Sequence, residues 1–208
     1  MNWMEMSLSD FERELASKNA TPGGGTAAAV ALGQAAALAE MVCELTIGSE
    51  KWKDGWEGAM DAKKTTAKVR TRAGQLAVED SDSFDQVVAA FRLPKSTEEE
   101  VEERRGAIRL ATLHAAEVPL ETAKLGMELL SKLEPLASHG NGNAASDVGV
   151  ASLLASAAVK GALFNVEINV ASLPETMAAA VVQESAGMRG ACSEVSKLVM
   201  HAVHNRIQ

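Results

Sequence analysis

The sequence of 208 residues has few aromatic side chains, which make up 3% of it, and tyrosine is absent. It has only two cysteines, Cys43 and Cys192, which lie far apart and form no C-x-x-C motif. This usage fits a reducing cytoplasm and excludes a disulfide-stapled scaffold. Basic residues are also in the minority, with 20 Lys and Arg against 28 Asp and Glu and a net charge of −8. A protein that neutralises a nucleic-acid backbone is expected to be basic, so we expect no nucleic-acid partner.

The N-terminus lacks the basic and apolar regions of a signal peptide, and we expect a cytoplasmic protein. One stretch, residues 26–47, is long and apolar enough to suggest a membrane span. It contains Gln34, Glu40 and Glu44, however, and carboxylates in mid-span are costly in lipid. We therefore predict that this stretch is a buried helix of a soluble protein, and we expect no membrane partner.

The composition favours an all-α fold. Alanine, the best helix former, is abundant, whereas strand-type runs of β-branched and aromatic residues are scarce and no period-2 alternation persists. Two capping-box patterns predict helix starts, one with Ser9 as N-cap and Glu12 reaching back, the other at Thr97 and Glu100. Breaks at glycine and proline predict further helices over residues 26–47, 59–93, 146–170 and 175–208, with a kink at Pro119 in the helix that ends near residue 139.

Long helices joined by short loops, with no composition break and no repeat, predict a single domain spanning residues 1–208. We expect an up-and-down bundle of about five to six long helices, and we expect it to dimerise.

A cluster of acidic residues in the third predicted helix is the first candidate site. At 100° per residue, Asp82 and Asp85 face solvent and Glu79 lies on a flank, whereas Asp80 falls in the middle of the apolar stripe. That stripe consists of Val69, Ala73, Leu76, Phe84, Val87 and Phe91. Desolvation raises the pKa of a carboxyl, which suits a general acid or base near neutral pH. The alternative is a structural aspartate satisfied by a helix cap or a core lysine.

Three consecutive glycines, Gly23, Gly24 and Gly25, precede the second predicted helix and form the second candidate site. Glycines let backbone N–H groups approach a ligand, and a helix N-terminus favours an anion. No lysine follows them, so this is not a Walker A motif and a nucleotide site is disfavoured. The alternative is a tight turn that lets two helices approach closely.

The third candidate is one face of the fifth predicted helix. Asp147, Asn165 and Asn169 lie within about 40° of one another on the helical wheel, beside alanines and Gly161. Asp147 and Asn165 are about 27 Å apart along the helix, so they cannot both touch one reacting atom. Ser146 and Asp147 are also good first-turn residues, which is the alternative reason for their presence.

The histidines are poorly placed for metal binding. His201 and His204 lie near the C-terminus, His114 shares a face with Glu117, and no E-x-x-H motif occurs. We therefore expect no bound metal.

Five segments in order resemble the cyclodeaminase domain of formiminotransferase-cyclodeaminase and the free-standing methenyltetrahydrofolate cyclohydrolases of the same family. They are SDFERELASKNATPGGGTAAAVAL, EDSDSF, FRLPKSTEEE, GNGNAASDVGVA and FNVEIN. The resemblance covers nearly the whole chain. Ser81 and Ser83 stand where the family often has alanine, and Thr26 stands where it often has serine.

The resemblance implies an all-helical homodimer that acts on one-carbon tetrahydrofolates, with no covalently bound cofactor. It implies that Asp80 is catalytic and that the glycines, Ser146-Asp147 and the Asn165/Asn169 pair belong to family motifs, which we assign to substrate binding. The glycine N–H groups and Lys95 are candidate anchors for the carboxylates of the folate tail. With no formiminotransferase domain in the sequence, we expect the substrate to come from another protein, which weakens the cyclodeaminase assignment relative to cyclohydrolase.

A non-catalytic alternative remains open at this point. Alanine-rich bundles also serve as oligomerisation scaffolds or as folate-binding modules without turnover. In that case Asp80 is a structural acid of the core and the glycines only turn the chain.

Overall fold

In the computed structural model, which describes residues 2–208, the chain forms helices joined by short loops, without β-strands in that range. The α-helices are α1 (Leu8–Leu15), α2 (Gly24–Ile47), α3 (Trp56–Phe91), α4 (Glu98–His139), α5 (Ala145–Val170), α6 (Glu175–Ser185) and α7 (Met188–Ile207). Short 3₁₀ turns lie at Trp3–Glu5, Glu50–Gly55 and Gly142–Ala144.

One of the two predicted capping boxes is confirmed, and the other is wrong. Thr97 caps α4 as predicted: its hydroxyl accepts from the Glu100 N–H at 3.2 Å, and the Glu100 carboxylate accepts from the Thr97 N–H. The prediction of Ser9 as the cap of the first helix is wrong, because α1 starts two residues earlier. Ser7 is the N-cap there, and its hydroxyl accepts from the Asp10 N–H at 3.1 Å and donates to the Asp10 carboxylate at 2.6 Å.

The C-terminal segment forms two helices, where the sequence predicted one. The break between α6 and α7 lies at Gly187, whose φ of 73° is in the left-handed region. Residues with a side chain rarely adopt that conformation, so glycine allows the chain to turn here. In contrast, α4 continues through both Pro119 and Pro135.

Helices α2 to α5 form an antiparallel ring, with α7 packed on α4 and α5. Salt bridges join α2 to α3 (Glu40–Arg70) and α3 to α4 (Lys68–Glu128 and Asp61–Lys132). The ring closes where α5 packs against α2. Gly161 of α5 faces Ala28 near the start of α2, and near the end of α2 the Asn141 N–H donates to the Thr46 hydroxyl at 2.9 Å. This up-and-down arrangement confirms the predicted all-α bundle.

Alanines fill much of the interior of the bundle. Fully buried alanines on α2 and α5 belong to the same core cluster as leucines of α4; they include Ala29, Ala35, Ala36, Ala39, Ala151, Ala155 and Ala162. Small side chains at helix contacts shorten the distance between helix axes. The structure thus gives a packing reason for the alanine-rich composition.

Two segments, Gly24–Ile47 and Gly142–Val170, are long and apolar enough to cross a membrane by length and composition. In their most apolar windows, 50% and 56% of the residues are buried inside the bundle. Core helices of soluble proteins pass the same test, so the absence of a membrane partner stays a prediction.

Gly126 lies where α4 packs closely against α5. A Cβ at this position would collide with Cγ2 of Val159 and lie 3.6 Å from the Ala155 carbonyl oxygen. We expect Gly126→Ala to lower the free energy of unfolding by about 1–3 kcal/mol, as overpacking does in a close-packed core. Urea denaturation followed by circular dichroism measures this change.

Gly106 is the matched control in the same helix, because within the described chain nothing lies within 4 Å of its added Cβ. Gly106→Ala is expected to raise stability by about 0.5–1 kcal/mol. Equal stability of the two variants would contradict close packing at Gly126.

Candidate active site

The carboxylate of Asp80 on α3 lies against the first turn of α2. The Thr26 hydroxyl donates to Oδ2 of Asp80 at 2.9 Å, and the Thr26 backbone N–H also donates to this carboxylate. The N-cap of α2 is Gly23, which has no side chain to cap the helix. Asp80 therefore supplies, from another helix, the acceptor that an N-cap side chain normally provides.

Glycine at position 25 is a steric requirement of this contact. A Cβ on Gly25 would collide with the Asp80 carboxylate, lying 2.7 Å from its Cγ. The glycine segment thus lets α3, through Asp80, approach the start of α2 closely. Substrate binding by the three glycines stays a prediction.

Two opposing effects act on the ionisation of Asp80. Burial is the larger effect and raises the pKa of its carboxyl above the ordinary value, whereas the two hydrogen bonds from Thr26 lower that pKa in part. The neighbouring acids Asp82 and Asp85 are exposed, as the helical wheel predicted. Asp80 thus combines partial burial with a raised pKa.

A cavity of about 170 Å³ opens beside this carboxylate. Its lining comes from the loop before α2 and from α2, α3, α4 and α5: Ala20, Thr21, Gly23, Gly24, Gly25, Asp80, Ser83, Phe84, Ala115, Asn165 and Asn169. Six residues assigned to the site from the sequence are therefore brought together here, namely the three glycines, Asp80 and the two asparagines.

Backbone carbonyls hold the two asparagine side chains in place. Asn169 donates from Nδ2 to the Ala115 carbonyl of α4 at 2.7 Å, and Asn165 donates to the Gly161 carbonyl at 3.0 Å. Among the lining residues of the described chain, Asp80 alone carries an acidic or basic side chain. The cavity therefore combines one carboxyl group with neutral amides and a helix N-terminus.

Three residues assigned to substrate binding lie outside this cavity. Ser146 and Asp147 are in the first turn of α5, at the opposite end of that helix from the asparagines. Lys95 is exposed in the loop between α3 and α4, and α3 continues past Asp80 to Phe91, about 16 Å further along. The structure does not bring these three residues to Asp80, and their roles stay predictions.

The apolar stripe on α3 differs from the predicted one beyond Asp80. Leu76 is fully buried, but Phe84 and Phe91 are 43% and 55% exposed. This difference arises because α2 begins opposite Asp80, so α3 extends past the end of that neighbour.

Sequence reasoning missed the hydroxyl groups around Asp80. Thr26 and Ser81 are buried and hydrogen-bonded to each other, and Ser83 donates to the Asp80 carbonyl at 2.8 Å. In the sequence, Thr26 directly follows the glycines, and Ser81 and Ser83 flank Asp82. These positions were the signal that could have pointed to the three hydroxyl groups. Within residues 2–208, no three His, Cys, Asp or Glu side chains cluster as metal ligands would, and the absence of a metal stays a prediction.

The raised pKa of Asp80 predicts a stability that depends on pH. A carboxyl with a raised pKa binds its proton more tightly in the folded protein, so stability falls as pH rises from about 4 through the folded-state pKa. In Asp80→Asn this loss is absent. We therefore expect the stability of the variant relative to the wild type to increase between pH 4 and pH 8 in urea denaturation.

Asp82→Asn, two residues away on the exposed side of α3, is the matched control for removing an acid from this helix. A stability difference for Asp80→Asn that stays constant between pH 4 and pH 8 would contradict the raised pKa of Asp80.

Comparisons with known proteins agree along nearly the whole chain. The family model described as formiminotransferase-cyclodeaminase matches residues 7–187. The chain is 35% identical over 206 residues to a protein of Methylorubrum extorquens named methenyltetrahydrofolate cyclohydrolase, with 97% of each chain covered. It is 34% identical to formimidoyltransferase-cyclodeaminase of Rattus norvegicus, over 83% of this chain but 32% of that protein.

The fold also matches a solved structure. The crystal structure of formiminotetrahydrofolate cyclodeaminase from Thermotoga maritima superposes with a TM-score of 0.87 at 27% identity, covering 99% of both chains. With a family model over most of its length and a relative of similar length above 30% identity, this chain belongs to the formiminotransferase-cyclodeaminase family.

Proposed function

We propose that this protein is a one-carbon tetrahydrofolate enzyme that hydrolyses the N5–C–N10 bridge of methenyltetrahydrofolate, with Asp80 as general acid and base. The observation that carries this proposal is a single carboxyl group, with its pKa raised by burial, in the wall of a cavity between four helices. The relative of matching length named methenyltetrahydrofolate cyclohydrolase supports this choice of reaction.

In this reaction water attacks the cationic methenyl carbon, and the Asp80 carboxylate accepts a proton from the water. The carbon becomes tetrahedral and carries a hydroxyl group. The C–N5 bond then breaks, Asp80 returns its proton to N5, and the hydroxyl proton leaves to solvent as the formyl carbonyl forms. The products are 10-formyltetrahydrofolate and one proton. A carboxyl with a raised pKa suits both proton transfers.

The ionised carboxylate has a second task in this proposal. Before water attacks, the methenyl bridge is cationic, and a carboxylate beside it stabilises that charge. Because Gly23 to Gly25 line the same cavity as Asp80, we now assign their N–H groups to the reacting part of the substrate and no longer to its tail. The amides of Asn165 and Asn169 provide further neutral polar contacts there. No bound cofactor takes part.

The cavity is smaller than the roughly 300–1,000 Å³ of a typical ligand site. We therefore place only the reacting part of the folate in it, with the tail outside. Lys95 stays our candidate anchor for the tail carboxylates.

The second candidate reaction is cyclodeamination of formiminotetrahydrofolate, supported by the fold that this chain shares with the formiminotetrahydrofolate cyclodeaminase of Thermotoga maritima. There N10 attacks the formimino carbon, N10 loses a proton and the departing nitrogen gains one before ammonia leaves. Both reactions pass through a tetrahedral carbon between N5 and N10, so the same carboxyl group serves either.

A two-substrate assay tests the proposed function. The purified protein is mixed with methenyltetrahydrofolate and, separately, with formiminotetrahydrofolate, while the methenyl absorbance and ammonia release are followed. We expect methenyl absorbance to decay faster than without enzyme, and we expect Asp80→Asn to lower kcat by about 10²- to 10⁴-fold, as loss of acid–base help does.

Asp82→Asn, exposed on the same helix, is the control and should keep wild-type activity. Turnover of the formimino substrate alone would favour cyclodeaminase. If neither substrate turns over but calorimetry shows folate binding, the protein is a binding module. Full activity of Asp80→Asn would contradict the role of Asp80 and leave the enzyme assignment standing.

We also propose that the protein is a homodimer, joined through the outward faces of α2 and α5. These neighbouring helices each leave an apolar stripe outside the core, with the three- and four-residue spacing of a helix contact. The exposed apolar residues on α2 are Met41 and Leu45, and those on α5 are Val150, Leu153, Ala157, Phe164 and Ile168. Large apolar patches of this kind mark interaction sites.

A charge placed in this surface tests the dimer. We expect sedimentation velocity to show a dimer for the wild type and a monomer for Leu153→Glu, because the interface would bury an unpaired carboxylate. Leu110→Glu on α4, where the side chain is 65% exposed away from the stripe, is the control and should leave the dimer intact. A monomeric wild-type protein would contradict the proposal.

A further inference from the structure

A chain of three hydrogen bonds, two of them buried and the last one partly buried, connects the N-terminal segment to the Asp80 carboxylate. The Trp3 indole Nε1–H donates to Oγ of Ser81 at 2.9 Å. Ser81 and Thr26 are joined through their hydroxyl oxygens at 3.0 Å. The Thr26 hydroxyl in turn donates to Oδ2 of Asp80 at 2.9 Å.

The chemistry of the groups fixes the direction of this chain. An indole N–H can only donate, so Ser81 is the acceptor of the first bond. An ionised carboxylate can only accept, so Thr26 is the donor of the last bond. The single Thr26 proton is then committed to Asp80, and the Ser81–Thr26 bond must be donated by Ser81.

Because they are buried, Trp3, Ser81 and Thr26 depend on one another for their hydrogen bonds. Thr26 is fully buried, Ser81 is 3% exposed and Trp3 is 7% exposed, so water does not readily replace a lost partner. Trp3 is held in place by an edge contact with Phe11, with ring centroids 6.4 Å apart. The indole donor polarises the Ser81 hydroxyl and so strengthens the hydrogen bonds that follow it in the chain, so loss of the indole weakens the bond from Thr26 to Asp80.

We infer that Trp3 is a positioning residue for the reaction: through Ser81 it holds the Thr26 hydroxyl proton on Asp80 and so stabilises the carboxylate form of the general base. This inference rests on the proposed function for its catalytic consequence. The hydrogen-bond relay of Trp3, Ser81, Thr26 and Asp80 exists in the folded chain whichever substrate is used.

The charged groups near the relay are already paired with others. Glu79, the neighbour of Asp80 on α3, is bound by Arg72, which also binds Glu121 of α4. On α4, His114 lies beside the cavity residue Ala115 and contacts the Glu117 carboxylate at 3.9 Å. The first turn of α2 has no acidic or basic side chain, and the asparagines of α5 are neutral. Nearer to Trp3, Glu5 accepts from Asn2, Asp10 pairs with Arg13, and Arg70 pairs with Glu40. Asp80 is the titratable group that the three hydrogen bonds connect to the Trp3 indole.

The first experiment needs no activity. The three indole N–H resonances of ¹⁵N-labelled wild-type protein are followed by NMR from pH 4 to pH 8, and the Trp3 signal is assigned by its loss in Trp3→Phe. We expect this signal to titrate with one pKa and the titration to vanish in Asp80→Asn. Trp56, whose indole N–H donates to the Thr46 and Ser49 carbonyls, is the internal control and should not follow this pKa.

The second experiment measures the pH dependence of kcat for the substrate that the wild type turns over. In Trp3→Phe we expect the acidic limb to move up by about 0.5 to 1 pH unit, which corresponds to the loss of one neutral hydrogen bond. Ser81→Ala should give a similar shift. The double variant should shift no further than Ser81→Ala alone, because Trp3 acts through Ser81.

Phe11→Leu controls for looser packing of the N-terminal segment, since it removes the ring against Trp3 but keeps the indole donor. It should lower thermal stability without moving the pH profile. A Trp3 signal that does not titrate, or that still titrates in Asp80→Asn, would overturn the relay. Additive shifts of Trp3→Phe and Ser81→Ala would also overturn it.

The two proposals fail in different ways. An inactive wild-type protein whose Trp3 signal still reports Asp80 leaves the relay standing and removes the proposed function. An active protein whose pH profile is unchanged in Trp3→Phe keeps the function and removes the positioning role of Trp3.

Discussion

The contact between the Asp80 carboxylate and the first turn of α2 is the constraint on which the site depends. A helix start has unsatisfied N–H donors, and α2 has glycines where a capping side chain would normally stand. Asp80 satisfies part of this need from α3, at a separation that only glycine at position 25 permits. One carboxyl group therefore serves both the packing of two helices and the proposed chemistry.

These two roles of one carboxyl group explain the opposing effects on the pKa of Asp80. A partly buried carboxylate cap is stabilised by the donors of the helix start, but burial raises the free energy of its charge. In this protein burial is the larger effect, so the carboxyl keeps a raised pKa while still accepting two hydrogen bonds. The structural and catalytic interpretations of Asp80 are thus compatible, because packing the carboxyl group against the start of α2 also buries it, and this burial raises its pKa.

The asparagines and the small side chains complete the arrangement. Alanines allow α2 and α5 to pack closely, and Asn169 ties α5 to α4 at the level of the cavity. The same two helices leave apolar stripes on their outer faces, so close packing inside the bundle and the proposed contact between two copies use opposite sides of one helix pair.

Much of the fold was predictable from the sequence, since helix boundaries depend on local signals such as the Thr97 capping box and the glycine and proline breaks. The errors were local too: Ser7 and Ser9 offer the same three-residue capping spacing, and Gly187 adopts a conformation that glycine allows but does not require. In the site, Asp80 was predictable because one helical wheel places it among apolar residues. Trp3 was not, because its hydrogen bond to Ser81 spans 78 residues of sequence.

The sequence by itself determined the helical class, the approximate helix ends and the one acid that faces the core, since these follow from composition, caps and the 3.6-residue period. Only the tertiary structure decided which candidates share a cavity. It brought Gly25, Asp80 and Asn165 together and left Lys95 and Asp147 apart from them. The reason is that distance between residues on different helices depends on how the helices pack, and a helical wheel carries no information on where a neighbouring helix begins.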